Sequence, residues 1–284
     1  MTTTTTLATK TAPAELQAFL DDVRVSVDEN LARRLAPPAD DPGRLVEAMC
    51  YAATGPGKRL RPAVLIAAAE ACGGTRAQAM PAAAAIEMLH AYTLVHDDLP
   101  AMDDDDERRG RPTVHVAFGE AIAILAGDGL LTAAFGALAE LGPHAGAAVS
   151  ALARRAGSHE LLAGQAIDLT ENLTSLAGAG PTLAQVERLH AAKTGALFAA
   201  AGELGAIAAG ATQNTVALLG RYGMALGIAF QHADDRDDRE FGHLAGEAAA
   251  RMRELGAEAR AIAHGFGPRG ARLDAIAAWF AEQA

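Results

Sequence analysis

Residues 96–115 read HDDLPAMDDDDERRGRPTVH. Seven acids (Asp97, Asp98, Asp103, Asp104, Asp105, Asp106, Glu107) fall within eleven positions, and three arginines (Arg108, Arg109, Arg111) follow at once. Carboxylates this close repel one another, and crowding raises the cost of ionising each. Carboxylate oxygens are hard ligands suited to Mg²⁺, which takes a few of them and completes its shell with phosphate oxygens and water. Guanidiniums grip phosphate through a bidentate fork. A calcium EF-hand is excluded. With Asp97, Asp98 or Asp103 first in the loop, the sixth position is Met102, Asp103 or Arg108, where the loop needs glycine. The stretch reads as a diphosphate site in which carboxylates hold metal and metal holds phosphate.

Other residues of the same chemistry interrupt apolar helical stripes. From Leu183, steps of three and four residues take in Val186, His190, Lys193, Leu197, Ala200, Leu204 and Ile207. Lys193 thus sits in mid-stripe, as a snorkelling surface lysine or as a cation reaching an anion in a cavity. In GRYGMALGIAFQHADDRDDRE the same stepping runs through Gly220, Gly223, Gly227, Gln231, Asp234 and Asp238. Asp234 and Asp238 lie one turn apart on one face, while Asp235 and Asp237 point elsewhere. They crowd a helix C-terminus, where the dipole disfavours negative charge and a bound cation would remove the penalty. On the helix before the acid cluster, Ile86, Leu89, His90, Thr93 and Asp97 share one side. If the stripes face each other, the aspartates ring the mouth of one cavity.

Those elements must come from an alanine-rich chain of 284 residues, half of them apolar and only 4% aromatic. Alanine is the best helix former, so an all-α protein is expected. The net charge of −11 argues against nucleic acid and anionic membrane as partners. Cys50 and Cys72 form no ligand spacing and read as reduced thiols, which fits the cytoplasm. The longest apolar runs are broken by Asp128 and Glu203, so no membrane span is expected. Residues 1–12 lack the apolar stretch of a signal peptide and read as a disordered tail.

Helical periodicity predicts a first helix opened by Pro13, with Leu16, Phe19, Leu20, Val23, Val27 and Leu31 inward. LAPPADDPG ends it. Further helices are expected at 43–53, from Pro62 to about Cys72, and from Pro81 to the acid cluster. The pattern resumes at 116–141, 147–165, 183–209, 215–238, 244–264 and 271–283. No alternating strand and no repeat stands out. Short linkers make 1–284 one domain.

In order along the chain, GKRLRP (57–62), EMLHAYTLVHDDLPAMDDDDERRGRPTVH (87–115), AGDGLL (126–131), GQAIDL (164–169), KTGALF (193–198) and FQHADDRDD (230–238) resemble the trans-isoprenyl diphosphate synthases, in the pattern of the bacterial farnesyl diphosphate synthase group. The resemblance covers nearly the whole chain. It implies a helical bundle of the isoprenoid synthase type around an apolar cavity, a homodimer, and Mg²⁺ as cofactor. It also implies condensation of isopentenyl diphosphate with dimethylallyl or geranyl diphosphate to give farnesyl diphosphate. Asp97 and Asp103 would bind Mg²⁺ with Asp98 in support, and Asp234 and Asp238 would bind it from the other helix. Arg108, Lys193, Thr194 and Gln231 would contact the allylic diphosphate. Lys58, Arg61, His90 and Arg109 would hold isopentenyl diphosphate. Tyr92, five residues before Asp97 and so roughly 7.5 Å along a helix axis, would floor the cavity.

The pattern departs near its end. Family members continue after the second aspartate motif into a lysine-bearing loop, whereas no lysine follows Lys193 here. Arg236, Asp237 and Glu107 stand where apolar residues are usual. Geranylgeranyl synthesis, terpene cyclisation and a weakly active or regulatory synthase-like subunit therefore stand as alternatives.

Overall fold

Alanine-rich apolar stripes fold as helices almost throughout the computed structural model, which describes residues 11–171 and 180–282. The first ten residues of the expected tail lie outside the described part. Ala12 does not belong to a loose tail: it is buried in the core. Helix α1 (Ala14–Arg34) follows Pro13 and buries all six expected apolar residues. A 3₁₀ turn then leads into α2 (Leu45–Ala53), and α3 (Leu60–Ala71) carries Pro62 in its first turn.

Several boundaries differ from the periodic pattern, each for a local reason. Helix α4 (Arg76–Asp97) starts five residues before Pro81, because Thr75 and Gln78 close a capping box that satisfies the first amides. The stretch expected at 116–141 divides into α5 (Val114–Phe118) and α6 (Glu120–Leu138) at Gly119, whose φ is 89°. The next divides at Gly157 into α7 (Ala145–Ala156) and α8 (Leu161–Glu171). From Leu183 the helix is continuous but mixed: α9 (Leu183–His190), a π-helical segment Ala191–Gly195, then α10 (Ala196–Ala208). Helix α11 (Gln213–Asp238), α12 (Ala245–His264) and α13 (Ala271–Ala281) complete the chain. A two-residue antiparallel ladder also forms, pairing Glu107 with Pro112 and Arg108 with Arg111.

Every residue of α10 is buried, as expected for a helix enclosed on all sides. Helices α3, α4, α7 and α11 pack around it. Glu203, which interrupts this apolar run in sequence, is met by Arg154 at 2.9 Å and Arg155 at 2.7 Å from α7. Asp128 does not break the other run as expected. Glu120–Glu171 contains a helical window long and apolar enough to cross a membrane by length and composition alone, because one aspartate cannot offset its neighbours. Less than half of that window is buried, and Ile124 and Leu125 of α6 stand 46% and 50% exposed.

Candidate active site

Helices α4 and α11 end in the two acidic motifs, and both pack on α10. The acids of α4 act on Lys193 and Arg108, and those of α11 on Lys58. Asp97 ends α4, and its carbonyl accepts a hydrogen bond from the Asp103 amide at 2.8 Å, which folds the acid loop back over the helix end. Burial first, then Asp103 and Asp98, push the Asp97 carboxyl up to about 6, against the pull of Lys193. Burial likewise raises Asp103. On α11, burial and then the charges of Asp235, Asp238 and Asp237 push Asp234 up to about 7, with Lys58 opposing. Asp238 is exposed at the rim.

Asp98 has a different setting. It is 3% exposed, and its Oδ1 accepts from Arg108 Nε at 2.6 Å and Nη2 at 2.5 Å. Arg108 also reaches Asp105 at 3.4 Å. Asp98 therefore positions Arg108 rather than standing open to a cation. Arg108 lies in the ladder, whose tip is the pair Arg109 and Gly110, at φ 54° and 78°. Two successive positive φ angles make the tight hairpin turn in which the strands keep their twist. Arginine is a strained choice there, at about 1–2 kcal/mol. The turn carries Arg109 to the 53–60 segment, where its Nη1 donates to the Pro56 carbonyl at 2.6 Å.

That segment is anchored from beneath by Arg59, which sequence reasoning missed. Arg59 is 7% exposed. It donates to Asp28 at 2.7 Å, to Glu87 at 3.0 Å, and to the carbonyls of Ala53 and Gly55 at 3.0 and 2.9 Å. Its position inside GKRLRP and the apolar setting of Glu87 were the available signals. The anchor leaves Lys58 exposed above and Arg61 over the Phe198 ring, 4.9 Å from the centroid. Burial pulls the Arg61 pKa down to about 10, and its Nε is buried without a partner. His90 is held well below its ordinary pKa, by burial first and then by Arg61 and Arg109. Lys58, Arg61, His90 and Arg109 thus come together.

On the remaining side, the π-helical segment presents Lys193 and Thr194. Such segments recur at functional sites because the extra residue re-aims side chains. Lys193 pairs with Asp168 of α8, a residue of the GQAIDL motif that its linear setting does not mark as part of the site. The glycine of that motif explains the contact: a Cβ on Gly164 would meet the Lys193 amide nitrogen at 2.5 Å. Burial works against the ammonium, but Asp168, Asp97 and Asp103 keep the Lys193 pKa raised. Thr194 Oγ1 donates to Gln231 Oε1 at 2.9 Å, and Gln231 Nε2 donates to Asp235 at 3.2 Å. Glu240, also missed, is raised by burial and by Asp235 and Asp238.

Tyr92 is buried, edge-on to His96 with ring centroids 5.6 Å apart. A groove beside the C-terminal part of α4 is lined by Tyr51, Leu94 and Val95 and by Asp98, Arg108 and Arg109. It adjoins the acid loop but does not lie between Asp97 and Asp234.

The sequence pattern of the polyprenyl synthetase family matches residues 42–240. Farnesyl diphosphate synthase of Geobacillus stearothermophilus is 39% identical over 235 residues, 81% of this chain and 77% of that protein. The chloroplastic large subunit 1 of heterodimeric geranylgeranyl pyrophosphate synthase from Arabidopsis thaliana is 41% identical over 230 residues. That match covers 77% of this chain and 62% of the plant protein, so the chain spans less than two thirds of this relative. The crystal structure of an FPP/GFPP synthase from Zymomonas mobilis shares the fold with a TM-score of 0.85 at 39% identity, covering 93% of this chain and 97% of that one. With the family pattern matched over 42–240 and the Geobacillus relative 39% identical over 81% of this chain, the chain belongs to the polyprenyl synthetase family.

Proposed function

We propose that the chain is a prenyltransferase that condenses isopentenyl diphosphate with an allylic diphosphate, dimethylallyl or geranyl, and forms farnesyl diphosphate. One observation carries the reading. Each acidic helix end has cations beside it, Asp97 with Arg108 of the 107–112 hairpin and Lys193 of the π-helical segment, and Asp234 with Lys58 of the 57–62 turn. The all-oxygen donor set of Asp97, Asp103, Asp234 and Asp238 fits Mg²⁺, and the raised pKa values of Asp97 and Asp234 come from burial first and then from neighbouring acids, a burden that a cation relieves. Those four would hold the ions, and bound Mg²⁺ would stabilise the diphosphate as it leaves the allylic carbon.

The chain's own residues do the rest. Arg108, fixed by Asp98, and Lys193, Thr194 and Gln231 orient the allylic diphosphate. Lys58, Arg61 and Arg109 hold isopentenyl diphosphate. His90 stays neutral beside those guanidiniums and serves as a hydrogen-bond partner rather than a further charge. The apolar faces of α4 and α10 keep water from the allylic cation. Tyr92 closes the cavity to longer chains.

The test is a product assay with Mg²⁺, isopentenyl diphosphate and each allylic primer in turn. Fifteen-carbon product is expected, and Tyr92→Ala should extend it to twenty carbons or more. Twenty-carbon product from the wild type would favour the geranylgeranyl reading, which the name of the Arabidopsis relative supports. Conversion of farnesyl diphosphate alone would favour a cyclase. Turnover restored only by a catalytic partner would favour a regulatory subunit, the reading that the lysine-free tail supports.

The proposed assembly is a homodimer in the cytoplasm. Val116, Ile124 and Leu125 are 46–50% exposed, an apolar surface that a second copy would cover. Both cysteines are free, as in a reducing compartment. Sedimentation of the wild type as a monomer would rule out the dimer.

A further inference from the structure

A second cluster of ligand-type side chains lies behind the acidic end of α11, and the reaction above does not use it. His190 is the last residue of α9; His232 and Asp235 are three apart on α11. All three are buried, at 2%, 3% and 7% exposure. The imidazole centroids are 4.7 Å apart, and His190 Nε2 lies 2.9 Å from Asp235 Oδ2. One donor atom from each residue lies within 4.8 Å of the others.

Two features separate this cluster from an ordinary polar patch in a core. Buried polar atoms are nearly always hydrogen-bonded, yet His190 Nδ1 is buried without a partner. In addition, Glu187 Oε1 lies 3.3 Å from His232 Nε2 and is itself held by Arg251 Nε at 3.0 Å. A carboxylate fixing one imidazole nitrogen while the other faces a cation is the usual outer arrangement around a metal-bound histidine.

We propose that His190, His232 and Asp235 bind one transition-metal ion of the zinc class, at a site separate from the Mg²⁺ carboxylates. Two imidazole nitrogens and one carboxylate oxygen suit Zn²⁺, whereas Mg²⁺ takes oxygen ligands. The ion lies among one nitrogen of each imidazole and the Asp235 carboxylate. It staples the end of α9 to α11 across the π-helical segment that presents Lys193 and Thr194. Asp235 also accepts from Gln231, which accepts from Thr194, so the staple fixes that chain of contacts as well.

The experiment uses the full chain, stripped with a chelator and equilibrated with limiting Zn²⁺ in excess Mg²⁺. Bound zinc is measured by elemental analysis, and Co²⁺ substitution is followed by visible absorption. One zinc per chain and an intense four-coordinate cobalt band are expected. His232→Leu should weaken zinc binding on the order of 100-fold and Glu187→Gln about 10-fold, with helicity unchanged by circular dichroism. Asp97→Ala should leave zinc content as it is. Because the readout is metal content, its failure is distinct from failure of the prenyltransferase reading. Zinc that is no tighter than in His232→Leu, that disappears with Asp97→Ala, or that gives no cobalt band would overturn the proposal and leave a hydrogen-bonded cluster only. If His232→Leu unfolds, Glu187→Gln, on a more exposed side chain, decides alone.

Discussion

Asp97 and Asp234 both carry a heavy electrostatic load. Each is an acid at the C-terminal end of a helix, where the dipole is unfavourable, and each is further penalised by burial and by neighbouring acids. Such positions are expected where a cation is to be held. Asp97→Ala, Asp103→Ala and Asp234→Ala should each lower turnover on the order of 100-fold or more without loss of helicity. Near-normal turnover in any one of them would remove it from the metal set. Around Arg61 the charges have the opposite sign. It stacks on Phe198 with a buried Nε lacking a partner, a poor arrangement unless an anion completes it. Arg61→Ala and Lys58→Ala should raise KM for isopentenyl diphosphate more than for the allylic substrate. Equal changes in both constants would count against the assignment.

Helix packing fixes how accurately these groups are placed. Helices α10 and α11 approach through small residues, and a Cβ on Gly223 would stand 2.0 Å from the Phe198 carbonyl oxygen. That atom belongs to a helix buried on every side and cannot move aside. Gly223→Ala should therefore destabilise the fold by about 3 kcal/mol, the upper end of overpacking costs. It should also disturb the pairing of Thr194 with Gln231, two turns further along α11. Chemical denaturation measures the first effect, and a change below about 1 kcal/mol would show that the interface yields more easily than its geometry implies. The π-helical segment works at the same scale. Its extra residue rotates Lys193 out of the apolar stripe toward Asp168 and the acid loop.

For the whole molecule, the raised carboxyl pKa values link stability to pH and to metal. An acid whose pKa is higher folded than unfolded favours folding while protonated, and that contribution is lost as pH rises through the folded value. For Asp97 and Asp234 the loss runs from the ordinary carboxylate range up to about 6 and about 7. Without divalent cation, their contribution to stability should decline across that window. A cation binds the ionised forms, so the rise in melting temperature on adding Mg²⁺ should be larger above pH about 7 than below about 6. Thermal unfolding with Mg²⁺ and with chelator tests this, and a metal-induced rise independent of pH would show that these carboxylates are not the ligands.

Composition and periodicity were enough to determine an all-α chain and the inward face of α1. Those features depend on residue type and on spacing along one helix, and a helix has fixed geometry. The motifs brought the family with them, and its pattern matches residues 42–240. Tertiary structure decided what depends on partners distant in sequence. It gave Asp98 to Arg108, tied Lys193 to Asp168, and set Arg59 under the 53–60 segment between Asp28 and Glu87. It put a left-handed Arg109 at a hairpin tip that no strand periodicity announces in two residues. It also drew His190, His232 and Asp235 together from two helices. Whether a buried side chain meets a counter-charge, a lone carbonyl or nothing is fixed by how helices pack, and a linear pattern carries no record of that.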